Sequence, residues 1–227
     1  MNKNFLTMSK AEQLTGWAWL LIQLLFLPSV VGFLNAFLQL GLSVAMLNII
    51  LFTIDFIAVI AIFHRYLLVQ LREIRLDRLV VWVPLGIMLY WTLSIFAQYL
   101  VLYLQPAHTN ANNETISSFL QQQQFLMTIG TVILVPVTEE TLFRGLLFGT
   151  LYKKHPALGY VVSVLVFAAV HVVGYIGTQD IFSLCVSLIQ YIPAGLVLGL
   201  VYVKANSLVA PILIHAFLNA LATLILR

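Results

Sequence analysis

The chain has 227 residues, of which 62% are hydrophobic and only 8% charged, with a formal net charge of +3 and a mean hydropathy of +1.02. A water-soluble domain of this size cannot cover that much apolar surface, so the composition points to a polytopic membrane protein. The basic residues are few and scattered over short loops, which argues against nucleic acid as a partner, and a single cysteine, Cys185, excludes an intrachain disulfide framework.

Residues 1–13 read as a polar cap carrying Lys3 and Lys10. A first span is expected over about residues 15–40, interrupted near Pro28 and Gly32. No small-residue cleavage site follows it, so it reads as an uncleaved span. A second span is expected over about residues 42–64, where Asn48 and Asp55 form a polar stripe that reads first as packing glue. A short segment with Arg65, Arg72, Arg75 and Arg78 leads to a third span, about residues 79–104. Residues 105–118 are the most polar stretch and read as a loop; Asn113-Glu114-Thr115 there fits the glycosylation acceptor pattern. The fourth span opens at the Gln121–Gln124 run and ends near Tyr152, followed by Lys153 and Lys154. The fifth is expected over about residues 157–175, the sixth over about 181–203 with a break at Pro193, and the seventh over about 208–226. In the sixth, Gly195 and Gly199 form a small-xxx-small pair suited to close helix packing. The fold class is therefore all-α, a polytopic bundle of about seven to eight transmembrane helices in one membrane domain, residues 1–227.

Lys and Arg alternate by loop. They occur at the N-terminus, in residues 65–78, at 153–154 and at Lys204, and are missing from 105–118 and 174–182. The positive-inside rule puts the basic loops and the N-terminus in the cytoplasm and the C-terminus outside, with Arg227 as the one exception. A further short helix would reverse the C-terminus. Membrane lipid is thus an expected partner, and the location is the cell membrane.

The stretch from Thr138 to Gly145 puts Glu139, Glu140 and Arg144 inside a long apolar run. Each charge at membrane depth costs about 2.5–3.5 kcal/mol, so three in six residues need a reason. The bland reading is a structural ion pair. Glu140 and Arg144 are four apart and should pair on one helix face. Glu139 is turned about 100° from Glu140, which leaves it without a cation on its own helix and makes it a candidate base. His171 falls deep in the fifth span, and His215 and Asn219, four apart, share a face of the seventh. At about 1.5 Å per residue these groups lie roughly 17–22 Å from the basic ends of their helices, all near one level. Unrelated bridging residues would not have to agree.

Such a set supports hydrolysis. A carboxylate and an imidazole can hold and deprotonate a water, while a second imidazole and an amide donate to an oxyanion. No Ser or Cys sits beside a His in these stretches, so a covalent nucleophile is disfavoured. Glu139, His171 and His215 are also candidate ligands for a divalent metal such as zinc, although HExxH is absent. The cofactor is either none or one such ion. Water must reach the site, so a cavity open to the cytoplasm is expected.

Glu139-Glu140-x-x-x-Arg144, Phe167-x-x-x-His171 and His215-x-x-x-Asn219, in that order, resemble the three signatures of the CAAX-prenyl-protease and bacteriocin-processing (CPBP, or Abi) family of intramembrane endopeptidases. The likeness covers about residues 119–227, the expected catalytic core. It implies that Glu139 activates water with His171, that His215 and Asn219 stabilise the oxyanion, and that Glu140, Arg144 and Phe167 support them. The family has been called metalloproteases, and a metal-free glutamate mechanism is also argued for it. The resemblance implies a membrane-attached or lipidated substrate, either a prenylated CAAX-type protein or a bacteriocin or other peptide precursor. The alternative class is a non-enzymatic immunity factor or peptide-binding scaffold. A transporter would call for paired broken helices in both halves.

Overall fold

The structure is a computed structural model that describes residues 8–226. Lys3 and Arg227, used above for orientation, lie outside the described residues. Two helices, α1 (Lys10–Leu25) and α2 (Leu27–Phe37), form a pair bent by 51°. They are followed by α3 (Val44–Arg72), α4 (Leu76–Leu104), α5 (Ala111–Lys154), α6 (Pro156–Val170), α7 (Ile181–Ala205) and α8 (Val209–Ile225).

Local chemistry sets the helix ends. Ser9 and Glu12 form a reciprocal capping box at the start of α1. Ser43, Asn110 and Asp180 accept from backbone N–H groups of the first turns of α3, α5 and α7, groups that otherwise lack intrahelical partners. Asn206 takes the left-handed conformation (φ 55°) that ends α7. Pro28 opens α2 and Pro156 opens α6, positions where the missing N–H costs nothing.

Three expected boundaries change. The helix of α5 begins at Ala111, so part of the polar 105–118 stretch is helical, capped by Asn110. Helix α7 runs through Pro193 without a break. The fifth span runs over Pro156–Tyr175 as expected, but its α-helical part stops at Val170 and a short 3₁₀ turn, Val173–Tyr175, completes it, so His171 ends the α-helix instead of lying deep within it. By length and composition, five helices can cross a membrane, or six with the bent α1–α2 pair taken as one span. Helix α8 has 17 residues, about 25 Å at 1.5 Å per residue, short of a hydrocarbon core of about 30 Å. The described chain is a multi-pass helical membrane protein, and its outer surface is apolar: Leu25, Phe33, Val80, Phe96 and Phe125 are all exposed.

The helices pack antiparallel, which creates two distinct ends. At one, Tyr66 N–H donates to Glu12 Oε1, Leu208 N–H to Gln70 Oε1, and Arg78 to the Lys204 carbonyl. At the other, Gln105 donates to Ser183, Tyr175 to Thr115, and Ser117 to the Leu226 carbonyl. His108 bridges Gln105 and Ser187 there. The main core lies toward the first end, around Phe63, Tyr66, Phe148, Leu198 and Tyr202. Gly195 and Gly199 let α7 approach α6 closely: a Cβ on Gly195 would lie 3.0 Å from Val164 Cα, the packing role their spacing suggested.

Candidate active site

Helix α5 is irregular where it carries the two glutamates. Glu139 and Glu140 close a short α-helical piece, Val135–Glu140, between wide π turns at Gly130–Leu134 and Thr141–Phe148. Each wide turn has a local cause. Pro136 has no N–H to give and crowds the carbonyl four residues back, just where the first π turn lies. Thr141 Oγ1 donates to the Val137 carbonyl at 2.7 Å, competing for that acceptor where the second begins.

Glu140 and Arg144 are fully buried and pair as their spacing predicted, with Arg144 Nη1 3.0 Å from Glu140 Oε1. Arg144 Nη2 donates to the Ala194 carbonyl of α7, and its guanidinium lies 4.1 Å from the Phe167 ring centre. Burying two ions costs several kcal/mol each, which this pairing, the carbonyl and the ring face offset. Glu140 also does something its spacing did not indicate: its Oε1 accepts from His215 Nδ1 at 2.8 Å. A carboxylate acceptor makes Nδ1 the donor and leaves Nε2 for the cavity. That Nε2 lies 4.0 Å from Glu139 Oε2.

Glu139 differs from its neighbour in exposure. Its side chain is 25% accessible, and its Oε2 makes no hydrogen bond among the described residues. His171 is positioned by helix termination. The Phe167 carbonyl, an orphan acceptor of the last turn, takes a bond from His171 Nδ1 at 2.7 Å. The carbonyl can only accept, so in the neutral ring Nε2 holds the lone pair. Tyr191 of α7 stacks on the ring, with centroids 4.5 Å apart. Asn219 Nδ2 donates one proton to the Thr131 carbonyl in the first π turn at 2.8 Å and keeps a second.

A cavity of about 480 Å³ has Glu139, His171, His215 and Asn219 on its wall. A second, of about 230 Å³, shares Glu139 and His171 and reaches Gln23, Leu24 and Asp55. All four polar residues expected to share a site are therefore brought together, and Phe167 touches Arg144, His171 and His215 from behind. The larger cavity leads past Asn112, Asn113 and Gly174, toward the end whose loops lack Lys and Arg.

Asp55 was read first as packing glue, yet it lines the smaller cavity beside Glu139, and its Oδ1 has no hydrogen-bond partner among the described residues. Its signal in the sequence was a lone carboxylate in an apolar span. The Ala194 and Thr131 carbonyls and Tyr191 carried no signal. Among the described residues no three His, Cys, Asp or Glu side chains form a metal-binding group. His215 Nδ1 is held by Glu140, and its Nε2 lies 4.0 Å from Glu139 Oε2.

The model of a known family, described as Rce1-like, type II CAAX prenyl endopeptidase Rce1-like, matches residues 121–221. The matched segment runs from the glutamine run of α5 to two residues past Asn219, and so contains the whole cluster. No curated protein and no solved structure matches the chain.

Proposed function

We propose that this chain, which belongs to the Rce1-like family through residues 121–221, is an intramembrane endopeptidase that hydrolyses a peptide bond in a membrane-attached substrate with a glutamate-activated water. The observation that carries this reading is one cavity lined by Glu139, His171, His215 and Asn219. Glu139 is the general base. His171 Nε2 accepts from the same water and orients it, because Nδ1 is engaged by the Phe167 carbonyl. The water oxygen attacks the scissile carbonyl carbon as its proton passes to Glu139. The oxyanion that forms takes hydrogen bonds from His215 Nε2 and from the second Nδ2 proton of Asn219. His215 donates through Nε2 when it carries both ring protons, the Nδ1 proton being the one given to Glu140. The tetrahedral intermediate then collapses: the C–N bond breaks and Glu139 returns its proton to the leaving nitrogen.

Glu140, Arg144 and Phe167 act as positioning residues in this scheme. They hold His215 and the α5–α7 contact but do not touch the reacting atoms. The test is to incubate purified wild type, Glu139→Gln and Arg144→Ala with prenylated CAAX peptides and with unprenylated leader peptides, and to read the products by mass spectrometry. Wild type is expected to cleave and a folded Glu139→Gln protein is not. Wild-type rates in folded Glu139→Gln would overturn the mechanism.

A further inference from the structure

We infer that Tyr191 and Asn110 are positioning residues for His171: they fix the plane of its ring, and with it the direction in which Nε2 faces the water. What this does for turnover rests on the endopeptidase reading; the hold on the ring does not.

The need for such a hold follows from where His171 sits. It ends the α-helix of α6, and a short 3₁₀ turn follows. One hydrogen bond, from Nδ1 to the Phe167 carbonyl, fixes a single point of the ring. That bond alone leaves the tilt of the ring open. The lone pair of Nε2 lies in the ring plane, so a tilted ring aims its acceptor away from the water that Glu139 is to deprotonate.

Two aromatic rings touch His171. Phe167 lies 4.7 Å away between centroids with the planes at 51°. It stands four residues earlier on the same helix and so moves with His171. Tyr191 lies 4.5 Å away with the planes at 28°. A near-parallel neighbour defines a plane better than a tilted one, and this one belongs to α7. The stack therefore registers the His171 ring against a second helix.

Tyr191 is itself held. Its hydroxyl donates to Asn110 Oδ1 at 3.1 Å. Asn110 is the N-cap of α5, and the same oxygen accepts the Asn113 N–H at 3.1 Å. Asn110 Nδ2 donates to Gln190, the residue before Tyr191 on α7. One amide thus grips two consecutive residues of α7 while it caps the helix that carries Glu139. Asn110, Tyr191 and His171 link the start of α5, the middle of α7 and the end of α6. Asn110 lies before the segment that the family matches, and neither it nor Tyr191 belongs to the three motifs.

The experiment compares full-length wild type with four variants in detergent. Tyr191→Leu removes the ring. Tyr191→Phe removes only the hydroxyl. Asn110→Ser keeps a capping oxygen for α5 but is too short to reach Tyr191. The fourth variant combines Tyr191→Phe with Asn110→Ser. The first readout needs no turnover. The chain has five histidines, so histidine-selective isotope labelling gives a short list of ring resonances, and His171→Gln identifies the relevant one. Tyr191→Leu is expected to abolish the ring-current displacement of the His171 ring protons, and Tyr191→Phe to keep most of it. A His171 signal unmoved by Tyr191→Leu overturns the inference.

The second readout is cleavage. Misplacing a reacting group by about 1 Å can cost about 10²-fold, so a loss of about that size in kcat is expected for Tyr191→Leu, with KM little changed. Tyr191→Phe and Asn110→Ser are expected to lose less, and the double variant no more than Asn110→Ser alone, because both changes cut the same bond. Wild-type kcat in a Tyr191→Leu protein that keeps its unfolding midpoint, or a change confined to KM, overturns the inference. Additive losses in the double variant overturn the part given to Asn110. If Tyr191→Leu fails to fold, Tyr191→Phe and Asn110→Ser carry both readouts. The expected ring shifts with no cleavage by wild type would remove the endopeptidase reading and support the hold on His171.

Discussion

His215 gives its Nδ1 proton to Glu140 Oε1 at 2.8 Å, the same oxygen that receives Arg144 at 3.0 Å. One carboxylate oxygen thus ties α8 to α5, and through Arg144 and the Ala194 carbonyl to α7. The glutamate that reads as half of a local ion pair is the hub of three helices, and its neighbour Glu139 is left free for the cavity.

Glu139→Gln keeps the shape and removes the base. Cleavage is expected to fall by roughly 10²–10⁴-fold while the thermal unfolding midpoint in detergent stays near wild type. Both are measured on one preparation, and an unchanged rate would count against Glu139 as the base.

Arg144→Ala leaves Glu140 buried without its cation. Breaking a buried pair from one side costs about 3–5 kcal/mol, so a marked drop in the unfolding midpoint is expected, together with lost activity. Arg144→Lys restores a charge but not the fork that reaches both Glu140 and Ala194, and should recover only part of the stability. Thermal unfolding of the three proteins side by side checks this.

Asn219→Ala removes one donor to the oxyanion and the tie to the Thr131 carbonyl. A loss of about 10²–10³-fold in kcat is expected, with KM little changed, because the interaction is made in the transition state. A purely structural role would instead lower the unfolding midpoint and raise KM.

Gly159→Ala probes the turn between α5 and α6. The added Cβ would lie 2.9 Å from Tyr152 N and 3.0 Å from its Cα, backbone atoms that cannot rotate away. Overpacking of this kind costs about 1–3 kcal/mol, read as a lower unfolding midpoint, and the same change at Gly174, which has open space, should be close to neutral.

Asp180 caps α7 at the cavity end, and the Ser183 hydroxyl and backbone N–H hold its carboxyl below the usual range. A depressed folded value means its stabilisation is present above the ordinary carboxylate value and is lost as pH falls through the folded one. Asp180→Asn should therefore narrow its difference from wild type as pH drops below about 4, followed by thermal unfolding across pH.

The helical class, the membrane setting and the pairing of Glu140 with Arg144 were legible in the sequence, because apolar runs and i,i+4 spacing are local properties. So was the gathering of Glu139, His171, His215 and Asn219, since equal distances along antiparallel helices bring groups to one level. The Glu140–His215 bond was not legible: it joins residues 75 apart, and no local pattern encodes which side of α8 meets α5. The span to Tyr175 was legible, but the end of its α-helix at His171 was not, because apolar residues continue to Ile176 and hydropathy does not mark where α-helical winding stops. The direction of the cavity depends on which end the core fills, a tertiary property.

The two wide turns in α5 act as spacers in the register of the chain. An ideal α-helix advances about 100° per residue, and the eight residues from Thr141 to Phe148 do not keep that pace. Deleting one residue from 145–148 would leave all three motifs intact. With the wide winding retained, it would swing the glutamates by about a quarter turn relative to the core-facing residues downstream. The chain would keep its motifs while its glutamates turned away from His215 and the cavity, so the helix length between Glu139 and Phe148 is fixed by the site they must reach.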